Sequence, residues 1–269
     1  MSRVTFHALA PALVFDLLVT SEVGAGQFGR VALFYLLVAA SAGLMARVAA
    51  VPLRLDRRAL AAFLLVVVCS NTGNYALPVT LLAFGREALA HASVYFVASA
   101  SFSYTGGVLL AASGRHSWPH ALLGVVRVPA VWAAVAAGLA LGLGVEAPAA
   151  VMTPVSMMSD AALPMMILVL GMQLERAKRP DRPGVVATAV FVSLVLTPLA
   201  AIGLARLVGL EGPAFQAGVL QASMPTAVIT TILALEFDAL PDFVTSVVFT
   251  STLLSPLTVT VLIAFLRNA

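Results

Sequence analysis

The sequence predicts an all-α integral membrane protein of nine spans, and three observations carry that prediction. Of its 269 residues, 61% are hydrophobic and 10% charged, where soluble domains are about half apolar and about one quarter charged. Runs of the length that crosses a hydrocarbon core recur from end to end, at a mean hydropathy of +1.04. Basic residues alternate in density from one break to the next, as they do between the two faces of a membrane. No segment is polar or long enough for a separate soluble domain. The first apolar run lacks a cleavage pattern and reads as a spanning helix.

Taken in order, the apolar runs place spans near 4–21, 29–47, 59–84, 89–112, 128–145, 150–174, 184–207, 214–235 and 241–266, separated by charged or Gly/Pro-rich breaks. Alternate breaks then fall on alternate sides. One side holds Arg3, Arg47, Arg54, Arg57, Arg58, Arg115, Arg127, Arg176, Lys178, Arg179 and Arg182. The other holds Arg30, Arg86, Arg206 and Arg267, with Glu22, Glu87, Glu146 and Glu211. The positive-inside rule puts the N-terminus in the cytoplasm and the C-terminus outside, in a multi-pass protein of the cell (inner) membrane. An isoelectric point near 9.5 therefore reflects topology, and no nucleic-acid partner is expected. The single cysteine, Cys69, lies inside a span, so neither a disulfide framework nor a cysteine-based metal site is available within one chain. No cofactor and no metal are expected.

The two halves match each other. "HALAP" (7–11) resembles "DAALP" (160–164), and the polar break ending at Pro78 has a counterpart in "QASMP", ending at Pro225. The matched spans start on opposite sides, which makes the halves inverted repeats: 1–126 with four spans and 127–269 with five. Transporters built this way place substrate at mid-membrane beside discontinuous helices. Pro78 and Pro225 fall near the middles of their spans, where proline removes a donor and disturbs the carbonyl four residues back. Backbone freed at that depth must be buried in protein or line a wet cavity. A proline kink relieved by nearby hydroxyls or amides is also a common purely structural device. Two kinks at matched positions, each with amide side chains, favour the functional reading. Asn71, Thr72 and Asn74 in one break, with Gly73 between them, and Gln221, Ser223 and Thr226 in the other are the candidate substrate contacts. An amide offers donors and an acceptor, which suits a carboxylate without a permanently buried charge.

Around these residues the sequence resembles the auxin efflux carrier family of membrane transporters, in its prokaryotic branch. "SNTGNYALPVTLLAFGREALAHASVYFVAS" (70–99), "LPMMILVLGMQL" (163–174), "ASMPTAVITTILALEFD" (222–238) and "STLLSPLT" (251–258) carry the resemblance, which covers essentially the whole chain. It implies a fold similar to bile acid/sodium symporters and sodium/proton antiporters: ten helices in two inverted five-helix repeats. The fourth and ninth would cross as broken helices around an alternating-access site for organic anions. The second half opens at span 128–145, well before Pro164, and the equivalent stretch before Pro11 would precede Met1. The expectation is a chain lacking the family's first helix, through a start placed too late or as a nine-helix variant. The lost helix would belong to the scaffold.

Among ionisable residues, Asp160 lies deepest in a span. Intramembrane acids are costly and usually face a cavity or a partner, so Asp160 is the first candidate to carry a coupling proton, against a bracing role in a polar core. His7, its repeat mate, is the second, against simple hydration near the cytoplasmic end. Asp16 and Glu22 read as interfacial, and Arg127 and Arg206 as partners for a carboxylate, against snorkelling span ends, which explain at least one of them more cheaply. Gly138 and Gly142 in "GLALGLG" suit a close helix contact, such as a homodimer face, since no strand precedes them as a nucleotide loop requires. The methionine pairs Met157–Met158 and Met165–Met166 read as gap-filling core. The chain lacks Gly-x-Ser-x-Gly, His-Glu-x-x-His and Walker-type motifs, and is not expected to be an enzyme. An expected carrier of a small carboxylate or amphipathic acid, secondary active or facilitative, is weighed against a non-transporting scaffold or sensor and an intramembrane enzyme.

Overall fold

The computed structural model of the chain describes residues 2–20, 25–111, 128–145, 147–174 and 182–268. Arg115, Arg127, Arg176, Lys178, Arg179, Glu22 and Glu146 lie outside the described residues. Among those described the fold is all-α. The helices are α1 (Thr5–Thr20), α2 (Ala25–Ala50), α3 (Arg57–Val68), α4 (Ala76–Ala111), α5 (Pro129–Gly142), α6 (Ala149–Leu174), α7 (Pro183–Val208), α8 (Gly212–Ala222), α9 (Ile229–Glu236) and α10 (Pro241–Leu266). Long apolar side chains such as Leu44, Leu139, Leu257 and Val261 point outward, which water would not tolerate over such an area and lipid does. Among the described residues α2, α4, α6, α7 and α10 are long and apolar enough to cross a membrane. α1 and α5 are shorter apolar helices.

Each of the two polar interruptions splits a helix. α3 opens on Asp56, whose carboxylate accepts the Ala59 N–H at 2.7 Å, and ends where Cys69 turns extended (φ −92°, ψ 94°). The chain resumes helical form at Ala76. The unwound stretch therefore precedes Pro78, which sits in the first turn of α4, where a missing N–H costs least. This corrects the expectation that Pro78 itself interrupts the span: the polar residues 70–74 do. In the second interruption Pro225 lies inside the unwound stretch between α8 and α9.

The expected break between spans 59–84 and 89–112 falls at Gly85 (φ 82°, ψ −171°), the non-helical residue where two helical stretches join at a kink within α4. Only glycine adopts that conformation without strain. α1 and α7 each contain a π-helical turn, Thr5–Leu9 and Val192–Leu196. Both turns end two residues before a proline, Pro11 and Pro198, and the widened turn accommodates the ring.

The two interruptions meet. Ser70 and Thr226 form an antiparallel bridge, with Asn71 N–H donating to Pro225 O at 2.7 Å and Ala227 N–H to Cys69 O at 2.8 Å. Thr226 Oγ1 donates to Val66 O at 2.8 Å, and Thr226 N–H to Ser251 Oγ at 3.2 Å. Backbone groups freed by each break are thus satisfied by the other, as burial away from water requires.

The helices fall into two groups. α1 packs on α5 and α6, while α2, α3, α4, α7, α8, α9 and α10 pack on one another. Tyr35 and Tyr95 stand edge to face at 5.1 Å in the core of the larger group, with Phe34 beside them. α4 also reaches α1, α5 and α6, so it lies at the boundary between the groups.

Candidate functional site

A cavity of about 270 Å³ lies against the bridge. Its floor is the first unwound stretch, Ser70–Asn74, and the residues that follow the second, Ala227–Ile229. One wall is α4, through Phe96, Ser99 and Ser103. The opposite wall belongs to the smaller helix group, through Arg3, Phe6 and His7 at the start of the chain and Met166 of α6. The cavity therefore sits between the two helix groups and touches both interruptions.

Its polar lining is largely held in place. Thr72 Oγ1 and Ser99 Oγ share a short hydrogen bond, and Ser103 Oγ donates to Ser99 O at 2.9 Å. Asn71 is the exception. Its side chain is buried, at 6% exposure, and its Nδ2 has no hydrogen-bond partner. Buried donors are nearly always paired, and leaving one orphaned costs about 1–3 kcal/mol. Arg3 lies exposed at the rim, and His7, also exposed, sets Nδ1 at 3.0 Å from Arg3 O. The lining carries no carboxylate among the described residues. An amide donor, hydroxyls and a guanidinium facing an apolar wall of Phe6, Phe96, Met166 and Ile232 suit an anion with a small apolar body.

The expected contacts separate into two sets. Asn71, Thr72, Gly73 and Asn74 line the cavity, as does His7. Gln221, Ser223 and Thr226 lie outside the lining. Gln221 is fully buried between α8 and α4; its Nε2 donates weakly to Ala92 O at 3.4 Å and its Oε1 has no partner. Ser223 donates to its own helix at Val219 O (2.7 Å), and Thr226 braces the bridge. Arg3, Phe96, Ser99 and Ser103 were not anticipated from the sequence. The serines at 99 and 103 were detectable as a polar pair one helical turn apart in an apolar run.

Asp160 lies elsewhere. It is exposed and lines a second cavity, of about 340 Å³, bounded by α1, α4 and α6. Asp16, read from the sequence as interfacial, is buried within the protein at 4% exposure. Its Oδ2 accepts Ser159 Oγ at 2.8 Å and stands 3.7 Å from Arg86 Nη2. A carboxylate can stay in that apolar seam because α6 supplies the hydroxyl and α4 the cation. Arg206 stays on the last turn of α7. Gly138 and Gly142 make no close contact within the chain: a Cβ added at either meets nothing within 4 Å.

The chain matches the family described as "Membrane transport protein" over residues 1–263. It is also similar to a protein named "Uncharacterized transporter" from Methanothermobacter thermautotrophicus, 39% identical over 102 residues. That alignment covers 36% of this chain and 32% of the relative, so it spans about a third of the relative's length.

Proposed function

Because the chain belongs to the membrane transport protein family, the auxin efflux carrier family that its motifs resemble, we propose that it carries a small organic anion across the cell (inner) membrane by alternating access. The anion is a carboxylate or an amphipathic acid, bound in the cavity against the bridged interruptions. The observation that carries this reading is Asn71 itself, which lines the cavity that both broken helices border and whose buried Nδ2 has no hydrogen-bond partner. A donor left unpaired at that cost fits a ligand that completes it.

In this reading α1, α5 and α6 form the scaffold, and the larger group, with the bridged interruptions as its crossover, moves against them. The two halves, 1–126 and 127–269, act as inverted repeats. With the N-terminus in the cytoplasm and the C-terminus outside, Arg3 and His7 stand at the cytoplasmic mouth, and a proton accompanies the anion. A second copy of the chain is expected to pack on the open face of Gly138 and Gly142 in a homodimer.

Uptake of radiolabelled carboxylates into proteoliposomes, with and without an imposed pH gradient, tests the proposal. Saturable uptake whose affinity Asn71→Ala lowers by about tenfold while leaving the protein folded supports it. Absence of saturable uptake across mono-, di- and aromatic carboxylates overturns it.

A further inference from the structure

We propose that a water molecule is bound behind the bridged interruptions, in a third and much smaller cavity, with Ser193 of α7 as its principal partner. The water belongs to the fold that backs the larger cavity, so the inference stands or falls apart from the transport reading above.

The cavity has a volume of about 10 Å³. A water needs about 10–15 Å³ of such room and about two to four polar partners, so the space fits one water and nothing larger. It is walled by Tyr35 of α2, Tyr95 of α4, Ser193 and Thr197 of α7, and Ser70 and Met224 of the two interruptions. Ser70 is half-buried, and every other residue of the lining is buried. Ser70 also lines the larger cavity, so it stands between the two spaces.

Ser193 supplies the reason for a ligand. It is buried, and its Oγ has no hydrogen-bond partner. A serine inside a helix ordinarily returns its hydroxyl to a carbonyl of the preceding turn, as Ser223 does to Val219 O at 2.7 Å and Ser251 to Val248 O at 3.2 Å. Ser193 instead lies in the π-helical turn Val192–Leu196, a feature that recurs at functional sites. Its neighbours complete a water's bonding. Thr197 Oγ1 gives its proton to Val192 O at 3.0 Å, which leaves its oxygen free to accept another. Tyr35 and Tyr95, edge to face at 5.1 Å, each carry a hydroxyl that both donates and accepts. Cavities that stay empty are apolar, whereas this lining brings five hydroxyl side chains together. It carries no carboxylate among the described residues, which favours a neutral ligand over a cation. So placed, the water ties α2 and α7 to the interruption that floors the larger cavity.

The sign of one mutational effect tests the proposal. If Ser193 holds a water, Ser193→Ala removes a hydrogen bond, and the melting temperature of the purified protein is expected to fall by about 2–4 °C. If the hydroxyl stands unpaired, its removal leaves stability unchanged or raises it, and that result overturns the proposal. X-ray footprinting gives a reading that does not depend on how a variant melts. Radiolysis of a bound water releases a hydroxyl radical beside its partners, so Tyr35 and Tyr95 are expected to be oxidised in the folded wild type although they are 3% and 1% exposed. Ser193→Val, which fills the space, is expected to protect them. Absence of modification at both tyrosines in the folded wild type overturns the proposal. A wild-type melting temperature that sodium or potassium chloride raises above choline chloride at equal ionic strength, with the rise lost in Ser193→Ala, assigns the site to a monovalent cation and overturns the water.

Discussion

The backbone N–H of Asn71 donates to the carbonyl of Pro225 at 2.7 Å, so one residue both joins the two interrupted helices and presents its side chain to the cavity between the helix groups. Its main chain is committed to the fold, whereas its Nδ2 is committed to nothing. The two roles separate by mutation. Asn71→Leu keeps the shape and the backbone bond and removes an unpaired buried donor, a change that is near neutral or stabilising, by about 1 kcal/mol. The melting temperature is therefore expected to hold or rise while carboxylate affinity falls by about tenfold, the cost of one lost hydrogen bond to a charged group. A variant that melts early with affinity intact would mean that the amide serves the fold.

Thr226 serves the bridge itself. Its hydroxyl donates to Val66 O at 2.8 Å and its N–H to Ser251 Oγ at 3.2 Å, at a residue 1% exposed. Thr226→Val keeps the volume and leaves the Val66 carbonyl without that donor, an expected loss of about 1–3 kcal/mol. Thermal unfolding in detergent reads the loss directly. Ser223→Ala is the contrast: its hydroxyl bonds only the preceding turn, at Val219 O, and a shift of under about 1 kcal/mol is expected there.

Much of this was legible in the sequence, for identifiable reasons. Polar clusters inside apolar runs must interrupt a helix, because their backbone has to be satisfied somewhere, and both interruptions occur where "SNTGN" and "SMPT" stand. That one interruption pairs with the other depends on two backbone hydrogen bonds across more than half the chain, which no local pattern encodes. Pro78 misled because proline looks the same to a sequence at a break and one turn after it. The burial of Asp16 depends on Ser159 and Arg86 arriving from other helices, which its place along the span does not encode. Gln221 was the reverse case: an amide near a break that faces α4 instead of the cavity.

Gly73 sets the width of the cavity floor. A Cβ placed there would lie 2.9 Å from Phe96 Cε2, and Phe96 is a wall of the same cavity. The ring must move for Gly73→Ala to fit, and overpacking of this kind costs about 1–3 kcal/mol. Weaker anion binding and a lower melting temperature are expected together. Phe96→Leu removes the ring atoms that clash, so in a double-mutant cycle the pair should recover part of the stability. Strictly additive effects would show that Gly73 acts through its backbone freedom and not through the space it leaves for Phe96.

Cys69, the single cysteine, reports which parts of the molecule move. It is 2% exposed, and its carbonyl is fixed by Ala227 N–H at 2.8 Å. A Cβ added at Gly107 of α4 would lie 3.5 Å from its sulfur. It therefore lies inside the larger helix group, enclosed behind Ser103 of the cavity wall. If the two groups move as bodies, Cys69 stays enclosed in every arrangement, and maleimide labelling is expected only on unfolding, at a rate unchanged by a saturating carboxylate. Asn74→Cys in a Cys69→Ser background places the thiol on the cavity lining, half-buried, and its labelling should slow as the carboxylate fills the space. Labelling of Cys69 that rises with the anion would mean that the interruptions unwind further during the cycle, since only local opening exposes a buried group while the protein remains folded.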